Sequence, residues 1–191
     1  MSHAHPHDIR LLTGGVDLFA AMVDAMDAAQ HEVLLETYIF DFAGSGADVA
    51  YALMRAAQRG VRVCVVVDGV GTGELPAPWD DQFAQAGVHV RVYAPAVGIG
   101  FWLPSRWRRL HRKLCVVDKT IAFCGGINIL DDYLDPHVQG LLNSPRLDYA
   151  VSLRGALVPA VHATMAQLWS RIEAVRELRS QDLGGALDAL R

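Results

Sequence analysis

A chain of 191 residues, 52% apolar and 20% charged, fits about one globular domain, with a core large enough to need no disulfide or metal staple. Seventeen Lys and Arg against 21 Asp and Glu give a net charge of −4, which argues against a globally basic nucleic-acid binder but leaves room for a local basic patch. No apolar run reaches the roughly 18 residues of a membrane span, and the start of the chain lacks the apolar centre of a signal peptide.

In chain order, residues 1–7, with His3, His5 and His7, read as a flexible tail, and one domain is expected over 8–178. A short strand is predicted at 8–12, then an Ala-rich amphipathic helix from Val16 to Gln30. Val33 to Phe40 reads as a mostly buried strand that carries one acid, Glu36. A helix from about Ala47 to Arg59 stops at Gly60, where a left-handed cap is cheap. The β-branched run Val61 to Val67 reads as an interior parallel strand, followed by a short helix from Trp79 to Ala86 and a strand from Val88 to Tyr93. This βαβαβ rhythm predicts an α/β layer fold around a mixed, largely parallel sheet.

Beyond Tyr93 the texture changes. Ala94 to Arg109 is irregular, apolar and then basic. Two short strands are expected at 112–117 and 121–124 around a turn at Asp118-Lys119-Thr120, then a loop-rich stretch from Asp131 to Arg146. A last strand over Leu147–Leu153 precedes a long helix from Ala156 to about Leu178, whose apolar residues recur at steps of three and four. The stretch 179–191, with Gly184-Gly185, reads as a linker-like tail. Cys64, Cys115 and Cys124, an odd count in apolar segments, read as reduced core cysteines.

Chemistry concentrates between Leu110 and Ile129. His111 and Lys113 stand two apart on a strand, so their side chains leave the same face. Asp118 falls at the end of that strand, and Gly125-Gly126-Ile127-Asn128 returns a permissive backbone and an amide toward the site. Such a set suits a phosphodiester. A histidine can act as nucleophile or general acid near neutral pH, and a lysine and an amide neutralise non-bridging oxygens. No carboxylate cluster with metal-ligand spacing accompanies them, so neither a metal nor another cofactor is implied. The chain has only two lysines, and Lys119 is preceded two positions earlier by Val117, so a second His-x-Lys pair is absent. From Phe101 to Lys119 the net charge is +5, including Arg106, Arg108 and Arg109, which points to an anionic ligand at this edge. Phe101, Trp102, Leu103 and Trp107 interleave with these cations, a pattern that suits an anionic membrane surface or a nucleic-acid backbone.

His111-Arg-Lys113-Leu-Cys-Val-Val-Asp118 followed by Gly125-Gly-Ile-Asn128 resembles the HxKxxxxD motif of the phospholipase D superfamily. Leu35–Phe40, Ala57–Val63, Val67–Gly71 and Asp148–Gly155 are similar to the N-terminal half of bacterial cardiolipin synthases of the type without N-terminal membrane spans. The resemblance implies an α-β-α sandwich holding a single repeat, and a phosphatidyltransferase working through a phosphohistidine at the cytoplasmic face of the cell membrane, peripherally attached. It implies His111, Lys113, Asp118 and Asp148 as the catalytic set, with Asp118 bracing the motif and Asp148 against the histidine ring. Asn128, Gly126, Arg109 and Glu36 are the candidates for substrate binding. The implied partners are an anionic, phosphatidylglycerol-like phospholipid, a membrane surface, and a second motif from a homodimer or a missing C-terminal half. A single-motif dimeric phosphodiesterase or nuclease, and a noncatalytic lipid-binding remnant, stay open as alternatives.

Overall fold

The computed structural model describes residues 7–95, 109–135 and 140–188, with side chains from Asp8 to Leu178. The aromatic and arginine-rich stretch predicted as a ligand-facing segment, from Phe101 to Arg108, lies outside the described residues, as do residues 1–6 of the expected tail. Strand β1 (His7–Thr13) leads into helix α1 (Gly14–Ala28), followed by β2 (Glu32–Thr37), α2 (Gly44–Gln58), β3 (Arg62–Asp68), α3 (Trp79–Ala86) and β4 (His89–Tyr93). The second half holds β5 (Leu114–Val117), β6 (Ile121–Gly125), the short pair β7 (Leu134–Asp135) and β8 (Gly140–Leu141), β9 (Tyr149–Gly155) and α4 (Val158–Asp188). Helix α4 thus continues past Gly184-Gly185, where a linker was expected.

Seven strands form one sheet in the order β1-β9-β6-β5-β2-β3-β4. Only β2–β3 and β3–β4 are parallel, whereas β2–β5, β5–β6, β6–β9 and β9–β1 are antiparallel. The expectation of a largely parallel sheet is therefore corrected to a mixed, mostly antiparallel one. The cause is local: parallel neighbours need a crossover, and helices α2 and α3 supply it only between β2 and β4. After β4 the chain returns to the far side of β2, and a tight turn joins β5 to β6 with no helix between.

Helices α1, α2 and α3 pack on one face of the sheet, and α4 on the other. Leu18, Met22, Leu53 and Phe83 meet Val33, Leu35, Val65 and Cys115 in the first core layer. Val158 and Met165 meet Leu34, Cys64, Val116 and Ala122 in the second. The alternation along β2 and β5 follows from the pleat, which sends successive side chains to opposite faces. Cys64, Cys115 and Cys124 are free thiols within these layers.

Strand directions gather the C-terminal ends of β1, β2, β3 and β6 and the N-terminal ends of β5 and β9 along one edge of the sheet. At the opposite edge the β5–β6 turn is tied down by Asp118. Its carboxylate accepts the backbone N–H groups of Gln30, His31 and Glu32, each at 2.8 Å. The Asp118 N–H donates in turn to the Glu32 carbonyl at 2.8 Å. Asp118 and Lys119 both take left-handed backbone angles, with φ of 49° and 55°. Burial pushes the Asp118 carboxyl up, but the three backbone donors outweigh it and hold the group below the usual carboxylate range.

Asp118→Asn keeps the residue's tolerance for that backbone but turns one acceptor into an amide donor facing a backbone N–H. It should cost about 2 kcal/mol in urea unfolding at pH 7. Because the folded-state pKa is lowered, the wild-type advantage is complete above the ordinary carboxylate range and fades as pH falls through it. Equal urea midpoints for the two proteins at pH 7 would contradict the bracing role.

Candidate active site

His111 enters the site through a segment anchored from below. The Asp68 carboxylate, fully buried at the end of β3, accepts the Leu110 N–H at 2.7 Å through one oxygen. Its other oxygen accepts Val70 N–H at 2.8 Å and Gly71 N–H at 3.2 Å. Arg109 lies 3.6 Å from the same carboxylate and donates to the Ala94 carbonyl at 3.2 Å. The β3–α3 loop and the approach to β5 are therefore one hydrogen-bonded unit, and Asp68 is a supporting residue that the sequence reading missed. An acid closing an otherwise apolar strand was the available signal.

From that anchor, His111 is exposed and Lys113 is only 9% exposed. The Lys113 ammonium donates to the His111 carbonyl at 3.0 Å and stands 3.3 Å from its Nδ1. Lys113 also lies 5.5 Å from the centre of the Tyr38 ring, and the Tyr38 and His111 rings are 5.2 Å apart. Tyr38 is the second residue the sequence reading passed over as a site group. It follows the end of β2, and only the nonlocal β2–β5 pairing brings it to the motif. Burial pushes the Lys113 amine down, and the charge of Asp148 opposes that shift. An ammonium can only donate, so while Lys113 is charged Nδ1 accepts and the ring proton sits on Nε2. In that tautomer Nε2–H donates a hydrogen bond. A nucleophilic lone pair on Nε2 requires the ring proton on Nδ1, with the Lys113 contact to Nδ1 released and its bond to the His111 carbonyl kept.

The glycine pair and the amide complete the edge. Asn128 Oδ1 accepts the Ile39 N–H at 3.1 Å, which assigns the amide and leaves its NH2 for another acceptor. Gly126 donates its N–H to the Tyr149 carbonyl at 3.1 Å. A Cβ on Gly125 would fall 2.5 Å from the Ala150 Cα and 2.6 Å from the Tyr149 carbonyl oxygen, so glycine lets these two backbones meet. One on Gly126 would displace the Asp148 carboxylate, 2.4 Å away. Asp148 itself accepts the Tyr149 N–H at 2.8 Å. Among the described residues no hydrogen bond joins Asp148 to the His111 ring, whose neighbours are Lys113 and Tyr38.

The structure thus gathers His111, Lys113, Gly126, Asn128 and Asp148 at one edge, with Arg109 beside it. It separates two candidates from them. Asp118 sits at the opposite edge, seven residues along an extended chain and roughly 20 Å away. Glu36 is 1% exposed, and the pleat sends it, like Leu34, to the α4 side with Arg112. Lys113, like Cys115, faces the α1 side, although Glu36 and Lys113 both border one small hollow. The Arg112 guanidinium approaches Glu36 Oε2 at 2.7 Å without the angle of a hydrogen bond, and neither oxygen accepts one among the described residues. Burial pushes the Glu36 carboxyl up to about 7, against the lowering pull of Arg112.

Fold and site together define an α/β/α domain with one HKD motif. Residues 22–138 match the family model described as "Cardiolipin synthase, PLD-like domain". The chain is 36% identical over 150 residues to cardiolipin synthase B of Escherichia coli K12, covering 78% of this chain and 35% of that protein. It is 32% identical over 166 residues to cardiolipin synthase A of Pseudomonas putida, covering 85% and 33%. Among solved structures, the phospholipase D family member Nuc from Salmonella typhimurium superposes with a TM-score of 0.60 at 18% identity, covering 86% of this chain and 95% of that one. NucT from Helicobacter pylori gives 0.57 at 13% identity, covering 88% and 96%. The chain belongs to the PLD-like cardiolipin synthase family of the phospholipase D superfamily, and it spans about a third of the length of the curated relatives it matches. Among the described residues no helix is long and apolar enough to cross a membrane.

Glu36 gives a pH test of the layer beneath the site. A raised folded-state pKa favours the protonated form, so its contribution is greatest below the ordinary carboxyl value and is lost as pH rises toward about 7. Glu36→Gln should abolish that slope and gain on the order of 3 kcal/mol over wild type at pH 8. Parallel stability curves from pH 4 to 8 would show that Arg112 compensates the charge in full.

Proposed function

We propose that this chain supplies one half of a phosphatidyltransferase site of cardiolipin-synthase type, and that the other half is a second HKD motif from outside these 191 residues. The observation that carries the reading is the single motif: an exposed His111 ring held against buried Lys113, with the Asn128 amide alongside. Sequence identity to cardiolipin synthases A and B supports the lipid substrate class. In this reading one histidine's Nε2 attacks the phosphorus of an anionic phospholipid. The P–O bond to the leaving alcohol breaks as the second histidine protonates that oxygen. The phosphohistidine is then opened by the hydroxyl of a second phospholipid, whose proton returns to the second histidine. Lys113 and the Asn128 NH2 hold the non-bridging oxygens, and Asp148 keeps Lys113 charged against its burial. Asp118 acts through the strand rather than on substrate, and the domain works at a membrane surface.

The chain covers 95% of the Nuc chain, so one copy of this fold stands as a whole chain there. That observation supports a second reading, a dimeric single-motif phosphodiesterase. Labelled phosphatidylglycerol vesicles and plasmid DNA separate the two. The transferase reading expects cardiolipin, free glycerol and acid-labile label on the protein, all reduced at least about 1,000-fold in His111→Ala. DNA cleavage that vanishes in His111→Ala, without cardiolipin, favours the phosphodiesterase. Vesicle binding with neither activity, once the chain is paired with an intact second motif, overturns both and leaves a lipid-binding remnant.

A further inference from the structure

On the α4 side of the sheet two hollows lie side by side, one of about 540 Å³ and one of about 290 Å³. They share Tyr93, Leu168 and Arg171 as a common wall, so they form one continuous trough between β4 and α4. Their sizes reach from about the lower edge into the middle of the roughly 300–1,000 Å³ range of small-molecule sites. The larger hollow is floored by Val92, Pro95, Leu168, Ile172 and Val175. Arg171 stands at its rim, with Arg91 and Arg176, both paired with Glu173. The smaller is lined by Arg109, Arg112 and Arg171, and no acid lines either one.

We propose that this trough binds a phosphate-headed lipid, its phosphate on Arg109, Arg112 and Arg171 and its acyl chain along the Leu168–Val175 floor.

The two ends differ in chemistry, and that difference selects the ligand. Three guanidiniums border this end, Arg109 and Arg112 backed by the buried carboxylates of Asp68 and Glu36 and Arg171 from α4, and their N–H groups suit a phosphate. Two of the three are positioned in advance. Arg109 donates to the Ala94 carbonyl, and Arg112 leans on the buried Glu36. Arg171 is exposed on α4 and has no ion pair among the described residues, so it can close over an anion. A free phosphate uses only this end and leaves the larger, mainly apolar hollow open to water. An acyl chain fills it and covers Val175, which is 49% exposed. The trough is separate from the His111 centre. Arg112 sits between His111 and Lys113 on the strand, so its side chain leaves the opposite face of the sheet.

The test uses the full 191-residue chain carrying His111→Ala, so that turnover does not intrude, and titrates it calorimetrically with dihexanoyl phosphatidylglycerol and with inorganic phosphate. Arg171→Ala and Val175→Asp are added singly, both at exposed helix positions, with circular dichroism confirming the fold. The proposal expects the lipid to bind at least tenfold tighter than phosphate and to weaken at least tenfold in each variant. Phosphate binding should weaken in Arg171→Ala and stay unchanged in Val175→Asp. Lipid binding that neither variant alters overturns the proposal, because the lipid then sits elsewhere. Phosphate binding as tightly as the lipid overturns it too, in favour of a free-phosphate site. Cardiolipin formation is not read, so either failure leaves the reading of the His111 centre untouched.

Discussion

The carboxylate of Asp118 gathers three successive backbone N–H groups at the start of β2, and through them it holds the antiparallel register of β5 against β2. Everything at the far edge of the sheet depends on that register. With Val33 opposite Val117 and Glu36 opposite Leu114, the strand continues so that His111 and Lys113 come level with the Thr37–Ile39 segment. A slip by one residue would exchange the faces of Lys113 and Arg112. The ammonium would then lie under α4 and a guanidinium would stand beside Tyr38. The motif's aspartate therefore serves the motif's histidine from the opposite edge of the sheet, as a positioning group.

Buried charge sits in and beside the central strands. Glu36 in β2, Asp68 at the end of β3 and Lys113 just before β5 are each at least nine-tenths buried. They are treated differently. Asp68 is satisfied by backbone donors and stitches two loops together. Lys113 keeps a carbonyl, an aromatic face and the field of Asp148. Glu36 has only the approach of Arg112, and its carboxyl is the one driven toward neutrality. A continuous apolar core on both faces of the sheet offsets these groups. The arrangement fixes Arg112 on one face and Lys113 on the other, so a single strand serves two basic surfaces.

Much of this was legible in the residues, because it rests on local pattern. The short helix from Trp79 to Ala86 was read to the residue, and the apolar runs located β2, β3, β5 and β6 to within a few residues. The His-x-Lys pair and the glycine-asparagine return were visible as one site because β5 and β6 are joined by a three-residue turn. What escaped was nonlocal. Nothing in Leu114–Val117 announces that it pairs antiparallel with β2, so the sheet was read as largely parallel. For the same reason Tyr38 was not placed beside His111, nor Glu36 on the face away from it. Asp68 was visible as an acid closing an apolar strand, but its hydrogen-bond partners at Val70, Gly71 and Leu110 are backbone groups, so its role had no side-chain signature.

The chain carries one His-x-Lys pair and no second, and the proposal that its site is one half of a two-motif centre stands on that point. It is tested most directly by following specific activity on phosphatidylglycerol vesicles against protein concentration, with the mass of the active species measured by sedimentation at each step. The account predicts activity per chain that falls toward zero as the assembly dissociates, and returns when an intact second motif is added. A monomer with undiminished activity per chain, lost in His111→Ala, would contradict it.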